Sequence, residues 1–551
     1  MKKTIWGTGI YASQFAYVLK KENIDFFIDN DKKKSGQYFL EKKILSPDEI
    51  KNWEELYIYI PYNFYDEIIK QLQSYGAGER KHYEKYFDTN AICKKDFEDD
   101  YENSLKMINL QEKHMRNYGL FWGRGWALSN RGFKEFLLEW KRKDKNLKLG
   151  LVSEAIWYSY EKTEEIMKMP SVVTPGIFDL SIYVKDGVLT EEQRKFLKNK
   201  DYADSGKECL NAQFPEMKQE NAEYMVYYMY QYVIKILETL NPKFIISHPL
   251  FTVQHLILQE LCQLKGIPLI STHQGVLPGT LSFDIDGEMG KSLPSVYSKE
   301  FTELPVDKNE LEYAERVWNY LYKSRLNRKI QPKNNCMEYV LKHINRDKPT
   351  VFFAGQNDIL SDMVPYREET KKYHSPIFRS SIEAGIYIAK LCKRRKWNYI
   401  YKPHPMCVRL EKKEDFPGNT IYIESGDIND LIDISDVVVT ILSQTNYITM
   451  IRHKPVVMLG FNQSKGKGCT YEAFEKNKIE DAIQRAIRDG FTEDQRQAFL
   501  VHIAQLIKYY LYDDLQEREI RFGRRVTGGV ERFYELGKLL KDLSLKNCEI
   551  I

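Results

Sequence analysis

The sequence predicts an α/β protein in which a small Rossmann-like domain precedes two larger Rossmann-like halves. Short apolar strand patterns alternate with helical patterns along most of the chain, which predicts parallel sheets. Glycine-rich and polar stretches follow directly after the strands, where parallel sheets carry their ligands. The 551 residues are more than one hydrophobic core usually serves. We therefore predict a domain over residues 1–88, a first half over residues 100–310, and a second half with C-terminal helices over residues 345–551.

Composition and charge narrow the classes of function. The chain has 82 basic and 78 acidic residues, whereas a dedicated nucleic-acid binder has a clearly basic domain. We expect no nucleic-acid partner, while local lysine clusters allow weak peripheral association with the inner face of a membrane. The eight cysteines form no CxxC pair and no zinc-like spacing, so we predict a reduced, cytoplasmic protein without a metal site. No run of about 18 apolar residues occurs, so we predict no spanning helix.

Residues 1–88 have the pattern of a small βαβαβα unit. Strands are predicted at residues 4–6, 25–29 and 56–60, with helices ending near Lys21 and Tyr75. Gly7, Gly9 and Ala12 match the GxGxxA spacing after a strand, and Asp29 follows the second strand about 20 residues later. This spacing suggests nicotinamide binding. The unit is short for a full dinucleotide fold, so a docking or regulatory role is the alternative.

The two halves repeat the alternation on a larger scale, with a connecting helix before the first and a polar helical connector between them. The second half then continues as strand and helix in turn, and the chain is predicted helical from about residue 475 to 545. The predicted strands of the halves are residues 148–153, 243–248, 268–272, 350–355, 399–402, 419–424, 436–441 and 455–460.

The stretch YIYKPHP ends a predicted strand with a lysine and a histidine held between prolines. Lys402 supplies a point charge and His404 can donate to a phosphate oxygen. Pro403 and Pro405 fix the backbone, so little entropy is lost when a ligand binds. The alternative is a strand-ending turn with a satisfied histidine.

Two further strands of the second half end in polar residues. In DVVVTILSQTN, Ser443, Gln444 and Thr445 precede a helix, whose free N–H groups favour an anion. In FFAGQND, Gln356 and Asp358 should meet them at the same sheet edge. The alternatives are plain helix caps.

A glycine–lysine loop follows the strand PVVMLG. Lys467 could close over a phosphate, and Glu472 could accept hydrogen bonds from ribose hydroxyl groups. The alternative is a flexible surface loop.

The stretch THQGVLPGTLSFDIDGEMG follows a strand of the first half. We interpret it as a loop that binds the acceptor and supplies acid–base chemistry through His273, Asp284, Asp286 or Glu288. A solvated loop is the alternative. The DIDGE piece lacks the remaining ligands of a calcium loop.

The order AGQND, YKPHP, DINDLIDISDVVVTILSQT, KPVVMLG and GKGCTYE resembles the capsule-polysaccharide synthesis proteins that act as β-Kdo transferases. The resemblance covers about residues 240–510. It implies a GT-B fold, a CMP-Kdo donor and a bacterial glycan or glycolipid acceptor, with no separate cofactor. His404 and Pro405 would contact the cytidine phosphate, and Ser443 and Thr445 would bind phosphate.

One departure from that family concerns the first half. Many members have an acidic residue just before the glycine of this stretch, where this chain has Gln274. If that residue is the nucleophile or base, Asp284, Asp286 or Glu288 substitutes for it, or the chemistry differs, or activity is lost.

Two alternatives to the sugar transferase stay open. KPHP, DINDL and SDVVVT are also similar to CDP-glycerol glycerophosphotransferases, although the Asp-Tyr pair usual after the strand is absent at Ile441 and Leu442. A non-catalytic scaffold of polysaccharide assembly would explain Gln274. The N-terminal unit resembles the small Rossmann-like domains attached to bacterial sugar-modifying enzymes.

Overall fold

The computed structural model divides the chain into two compact units. One comprises Met1–Ser129, Lys148–Ile245 and Ile257–Ile267, and the other comprises Asn130–Leu147, Ile246–Leu256 and Pro268–Ile551. The structure describes residues 1–60, 65–78, 81–85, 91–123, 131–153, 169–179, 182–248, 252–328, 331, 336–358, 368–405, 411–526 and 528–549.

The first unit begins with the predicted small sheet. Its order is β3-β4-β2-β1-β5-β6, and every pairing is parallel except that of β3 with β4. The strands are β1 (Lys2–Trp6), β2 (Phe26–Ile28), β3 (Tyr38–Phe39), β4 (Lys42–Leu45), β5 (Leu56–Ile60) and β6 (Tyr83–Lys85). Helices cover Ile10–Val18 and Tyr65–Ser74, as the apolar periodicity predicts. Apolar clusters on both faces, one around Phe27 and one around Ile58, show a doubly wound sheet. The short strands β3, β4 and β6 were not predicted.

The rest of the first unit is built on an aromatic core between long helices. Its strands are β7 (Ala91–Cys93), β8 (Gly119–Gly123), β9 (Leu149–Ser153), β10 (Ser171–Val173) and β11 (Tyr183–Lys185), with β8, β9 and β10 in parallel. Its helices are Lys94–Met115, Gly176–Asp179, Glu191–Leu197, Ala203–Gln213 and Gln219–Leu240. Phe97 packs edge-on against Tyr224 and Tyr228, which joins the connecting helix to the helix Gln219–Leu240. Strand β12 (Phe244–His248) and the helix Val253–Lys265 have residues in both units.

The strands of the second unit belong to an antiparallel group and a parallel sheet. They are β13 (Leu269–Gln274), β14 (Thr280–Asp284), β15 (Thr350–Ala354), β16 (Asn398–Lys402), β17 (Thr420–Tyr422), β18 (Val437–Thr440), β19 (Val456–Met458), β20 (Tyr471–Glu472) and β21 (Leu511–Asp513). The helices are Arg131–Lys143, Leu293–Val296, Ser298–Thr302, Lys308–Ser324, Cys336–His343, Glu368–Tyr373, Ser381–Arg395, Ile428–Ile434, Thr445–Ile451, Ile479–Asp489, Glu493–Gln505 and Glu535–Glu549.

The antiparallel group corrects two predictions. β13 pairs with β14, and β14 pairs with β21. Residues 280–284 are therefore a strand buried along its whole length rather than part of a loop, with Leu281 and Phe283 on one face and the three polar residues on the other. The C-terminal region is also not helical throughout, because a π-helical turn at Leu506–Tyr510 leads into β21.

The parallel sheet of the second half has the order β17-β16-β15-β18-β19-β20. Numbered along the chain, this is the 3-2-1-4-5-6 order of a Rossmann fold. Buried side chains alternate between its faces, so that Val351 and Phe353 face one apolar cluster and Phe352 faces the other. The run VVVT is buried on both faces, as expected for a central parallel strand.

The C-terminal helix, Glu535–Glu549, packs against Ile285 and Glu303. Both residues belong to the predicted first half, and a GT-B arrangement predicts this contact. An added Cβ at Gly537 would meet the side chain of Ile285, and Asn547 donates to Glu303 over 3.2 Å. In the part of the chain that the structure describes, no helix is long and apolar enough to cross a membrane.

Candidate functional site

The strand order of the second half places its switch point between β15 and β18. In a doubly wound sheet, ligands bind in the crevice at the carboxyl ends of the strands where the order reverses. Gln356 follows β15 and Ser443 follows β18, and each is only 8% exposed. We call the carboxyl ends of β15, β16 and β18, with the residues that follow them, the switch edge.

Asp358 anchors the helix Ser381–Arg395 at the switch edge. Its Oδ2 accepts a hydrogen bond from the backbone N–H of Ser381, and the N–H of Gln356 donates to Ser381 Oγ over 2.9 Å. His374 Nε2 lies 3.8 Å from Asp358 Oδ2. Asp358 Oδ1 is buried and accepts no hydrogen bond within the described residues. Asp358 therefore caps a helix, as the alternative interpretation held, with one oxygen left over.

Lys402 ends β16 as a buried cation. Its side chain is 8% exposed, and none of the described carboxylates forms an ion pair with it. Burial lowers the pKa of Lys402, and the neighbouring Cys336 thiol opposes that shift. A buried ammonium group without a carboxylate partner costs free energy, which an anionic ligand would recover.

The backbone around Lys402 is held close to β15. Gly355 donates its N–H to the Lys402 carbonyl oxygen over 2.8 Å. A Cβ on Gly355 would come within 2.9 Å of that oxygen and 3.0 Å of Pro403 Cα. His404 is half-buried and Pro405 is exposed beside it, so the turn of YIYKPHP stands at this edge.

Ser443, Gln444 and Thr445 form the turn after β18. Ser443 Oγ accepts from the Thr445 N–H over 3.2 Å and donates to Thr445 Oγ1 over 2.9 Å. Gln444 is the N-cap residue of the helix Thr445–Ile451 and makes no side-chain cap bond, while Ser443, one residue earlier, accepts from the first N–H group of that helix. Gln444 keeps a buried side-chain oxygen that accepts no hydrogen bond from the described residues.

The glycine–lysine loop is tied to the protein rather than open. Lys467 Nζ donates to Pro294 O and Ser298 O, both over 2.8 Å, and to Ser298 Oγ over 3.1 Å. Glu472 accepts from the Gly466 N–H over 2.5 Å. These contacts use all three hydrogens of the ammonium group, so we leave Lys467 out of the proposed phosphate ligands.

The structure separates the three acidic candidates of the first half. Asp284 is 1% exposed and accepts from the N–H groups of Asp286, Gly287 and Leu293. Burial raises its pKa to about 7, against these hydrogen bonds. Asp284 thus shapes the turn after β14. Burial also raises the pKa of Asp286, while Lys541 and Lys291 lower it.

Glu288 is the acid that meets His273. Its side chain is 5% exposed, its Oε2 lies 3.8 Å from His273 Nε2, and its Oε1 accepts from Ser271 Oγ over 3.3 Å. Burial raises the pKa of Glu288 to about 8, opposed by Ser271 and Arg328 and reinforced by Asp284.

Two members of this group were missed from the sequence. His248 ends β12, and the ligand atoms of His248, His273 and Glu288 all lie within 4.8 Å of one another. Arg328 Nη2 lies 2.8 Å from His273 Nδ1 and 3.2 Å from the carbonyl oxygen of Gln274. Burial lowers the pKa of Arg328 to about 10, and Glu288 opposes that shift. We call these four residues the histidine cluster. His248 closes a predicted strand, whereas nothing near Arg328 signalled a site.

A close backbone contact links the histidine cluster to the second half. Gly290, two residues after Glu288, faces the carbonyl oxygen of Tyr373, which any Cβ on Gly290 would meet. The next residue, His374, is the one beside Asp358. Gly290 and Tyr373, which neighbour Glu288 and His374 along the chain, therefore lie against each other within the second unit.

In the N-terminal domain the predicted residue Asp29 lies beside the turn after β1, and its carboxylate is paired with a lysine. Asp29 Oδ2 accepts from Thr8 Oγ1 over 2.5 Å and from Lys34 Nζ over 3.0 Å. Burial would raise the pKa of Asp29, but the bonds from Thr8, the Asp31 N–H and Lys34 outweigh it and hold the pKa below its ordinary value. Gly7 has φ +103°, which favours glycine, whereas nothing lies within 4 Å of a Cβ on Gly9.

A known family matches the N-terminal domain, and several solved structures are similar to larger parts of the chain. The model of the C2185-like N-terminal family matches residues 1–83. No curated protein matches the sequence. The KpsC beta Kdo 2,7 transferase of Thermosulfurimonas dismutans shares 16% identity over 62% of this chain and 95% of its own, with a TM-score of 0.34. The KpsC beta Kdo 2,4 transferase of that organism shares 13% over 48% and 80%, with a TM-score of 0.32. The UDP-GlcNAc 2-epimerase of Neisseria meningitidis shares 10% over 78% and 100%, with a TM-score of 0.29.

Two of these structures belong to the β-Kdo transferases that the motifs resemble. TM-scores of this size assign no activity to the chain. The strand orders themselves confirm the predicted α/β class, with Rossmann-like sheets at both ends of the chain.

Proposed function

We propose that this protein is a glycosyltransferase of the GT-B fold that builds a bacterial surface polysaccharide. It transfers a sugar from a nucleotide donor to a glycan or glycolipid acceptor. The donor is CMP-linked, such as CMP-Kdo, in line with the resemblance of the second-half motifs. The observation that carries the proposal is Lys402, a buried cation without a described carboxylate partner at the switch edge of a 3-2-1-4-5-6 sheet.

The donor side is the switch edge. A phosphate bound there receives the charge of Lys402 and a hydrogen bond from His404, and Ser443 and Thr445 follow β18 on the other side of β15. These groups stabilise the phosphate as it leaves, which is the charge that develops in the transition state. We assign Gln356 and Asp358 to the nucleoside, because Asp358 Oδ1 has acceptor capacity that the described residues do not use.

The acceptor side is the histidine cluster. Glu288 and His273 are the pair best placed to take the proton of an acceptor hydroxyl group, because Asp284 is committed to its turn. Gln274 is not required as a base in this arrangement. Its carbonyl oxygen instead accepts from Arg328, which holds the end of β13.

The first test is calorimetric titration of the full chain with CMP, CDP, UDP and GDP. We expect CMP to bind most tightly, and we expect His404→Ala to weaken that binding. Lys413→Met, which removes an exposed lysine after the same strand, should leave that binding unchanged. Transfer of sugar from CMP-Kdo to a cell-envelope extract would then report activity.

Other results would redirect the proposal. Preference for CDP favours the glycerophosphotransferase, and preference for UDP or GDP keeps a transferase with another donor. Binding of none by a folded protein favours the scaffold and contradicts the proposed activity.

A further inference from the structure

We infer that His248, His273 and Glu288 form a binding site for one divalent transition-metal ion, for which Zn²⁺ is the first probe. The site goes beyond the proposed transfer reaction and does not require it. No motif in the sequence indicates this metal site. Its three ligands come from separate segments, namely the ends of β12 and β13 and the turn after β14. Their ligand atoms lie within 4.8 Å of one another.

The hydrogen bonds of the two imidazole rings orient them as ligands. His248 Nδ1 lies 2.6 Å from the carbonyl oxygen of Thr272, and His273 Nδ1 lies 2.9 Å from that of Gln274. A carbonyl oxygen only accepts, so each contact is a hydrogen bond when Nδ1 carries the proton. The lone pair then sits on Nε2 in both rings. Metal-ligating histidines characteristically donate their other N–H to a backbone carbonyl or carboxylate in this way.

Glu288 completes the set as a buried carboxylate. Its Oε2 is 3.8 Å from His273 Nε2, and Ser271 Oγ holds the other oxygen over 3.3 Å. Ligands at about 2.0–2.2 Å from a tetrahedral Zn²⁺ stand roughly 3.4 Å apart. His273 Nε2 and Glu288 Oε2 must therefore close by about 0.4 Å, and no pair of the three atoms by more than about 1.4 Å.

Arg328 competes with the ion. Its guanidinium group only donates, so its 2.8 Å contact with His273 Nδ1 is a hydrogen bond only in the other tautomer, with the proton on Nε2 facing Glu288. The same group also reaches the Gln274 carbonyl oxygen over 3.2 Å. Metal binding therefore moves the His273 proton to Nδ1 and leaves Arg328 on that carbonyl. The positive charge of Arg328 repels a metal ion and so opposes the attraction between Glu288 and that ion.

The ligand set selects the class of ion. Two imidazole nitrogens and one carboxylate suit Zn²⁺, Co²⁺ and other borderline transition ions, whereas Mg²⁺ and Ca²⁺ prefer oxygen ligands alone. Three protein ligands leave a fourth position open. At the proposed acceptor side, that position would hold water or an acceptor hydroxyl group, whose pKa the ion would lower, and His273 and Glu288 would then act as ligands rather than as the base.

The test titrates the metal-free full chain with Zn²⁺ by calorimetry and with Co²⁺ by absorption, without nucleotide or acceptor. We expect one ion per chain and Co²⁺ d–d bands without a thiolate charge-transfer band. His248→Ala, His273→Ala and Glu288→Gln should each weaken Zn²⁺ binding at least about 100-fold. Arg328→Gln should tighten it about 10-fold, because a like charge is removed.

The controls separate this site from other ligands and from misfolding. His343→Ala removes an exposed histidine and should leave Zn²⁺ binding unchanged. Each variant should have a melting temperature close to that of the wild-type protein, which shows that the variant is folded. CMP titration of the same variants should be unaffected, which distinguishes failure of the metal site from failure of the transferase. Absence of Zn²⁺ binding, a thiolate band, or affinity unchanged in the three ligand variants would overturn the inference.

Discussion

The N-terminal and C-terminal sheets are both doubly wound. They differ in whether the charged side chains at the carboxyl ends of their strands are paired with other side chains. Both place a first strand between two parallel neighbours and follow it with a glycine. In the N-terminal sheet, Asp29 is bonded by Thr8 and Lys34, so the polar groups satisfy one another. In the C-terminal sheet, Lys402 is buried without a described carboxylate partner. We infer from this difference that a Rossmann-like sheet alone does not indicate a ligand site. The indication is a buried charged side chain without a partner of opposite charge.

The largest expected effect is on nucleotide binding. Lys402→Met should weaken the affinity for the preferred nucleotide at least about 100-fold, because a buried charge-assisted contact with phosphate is lost. Lys34→Met, the matched change in the N-terminal sheet, should leave that affinity unchanged. Calorimetric titration of both variants checks the comparison. Equal loss in the two variants, or no loss in Lys402→Met, would break it.

Gly355, which follows β15, should not tolerate a side chain, whereas Gly9 in the N-terminal turn should. Gly355→Ala should lower the free energy of unfolding by about 2 kcal/mol, because its Cβ would press on the Lys402 carbonyl oxygen and Pro403. Gly9→Ala should change it by less than about 0.5 kcal/mol, since nothing lies within 4 Å of that Cβ. Urea denaturation measures both. Similar values for the two substitutions would contradict the close approach of β15 and β16.

The two sheets should respond to pH in opposite directions. In the second half, burial raises the pKa of Glu411 to about 8, with the Asp358 charge adding to it and the Tyr401 hydroxyl opposing it. A raised pKa means that this contribution to stability is present below the ordinary pKa of 4.5 and is lost as the pH rises through about 8. Glu411→Gln should therefore flatten the fall in unfolding free energy between pH 5 and 9 by about 2 kcal/mol. Denaturation at several pH values tests this, and an unchanged slope would refute it.

The smallest effect belongs to Asp29. Its pKa is held below the ordinary value of 3.8, so its contribution is present above that pH and is lost as the pH falls through the lower, folded value. Asp29→Asn should cost about 1 kcal/mol at neutral pH, since the ion pair with Lys34 is only partly buried. The cost should vanish in acid. A cost that grows as the pH falls would reverse the sign that we assign.

The predictions from the sequence were correct for strands and turns that can be recognised from their own residue pattern. VVVT and the alternating YIYK predicted strands of the second-half sheet, and the GxGxxA spacing predicted the first turn. The strand 280–284 was missed because the glycines and acids around it suggested a loop, and its partner β21 lies about two hundred residues away.

The candidate site could be predicted only in part, for the same reason. His404 and Ser443 follow strands that the sequence reveals, so their common edge was foreseeable. The ranking of Asp284, Asp286 and Glu288 depends on which backbone N–H groups each carboxylate meets, and Arg328 reaches His273 from a distant connector. Those contacts are set by tertiary packing, which local spacing does not encode.

The central claim is that the C-terminal switch edge, and not the N-terminal one, holds the nucleotide. The most direct test is hydrogen exchange of the full chain with and without saturating CMP. The account predicts slower exchange of the amides of residues 355–358 and 443–446 and of Lys402 and His404, with no change at residues 7–10 and 29–34. Protection confined to the N-terminal residues would contradict it.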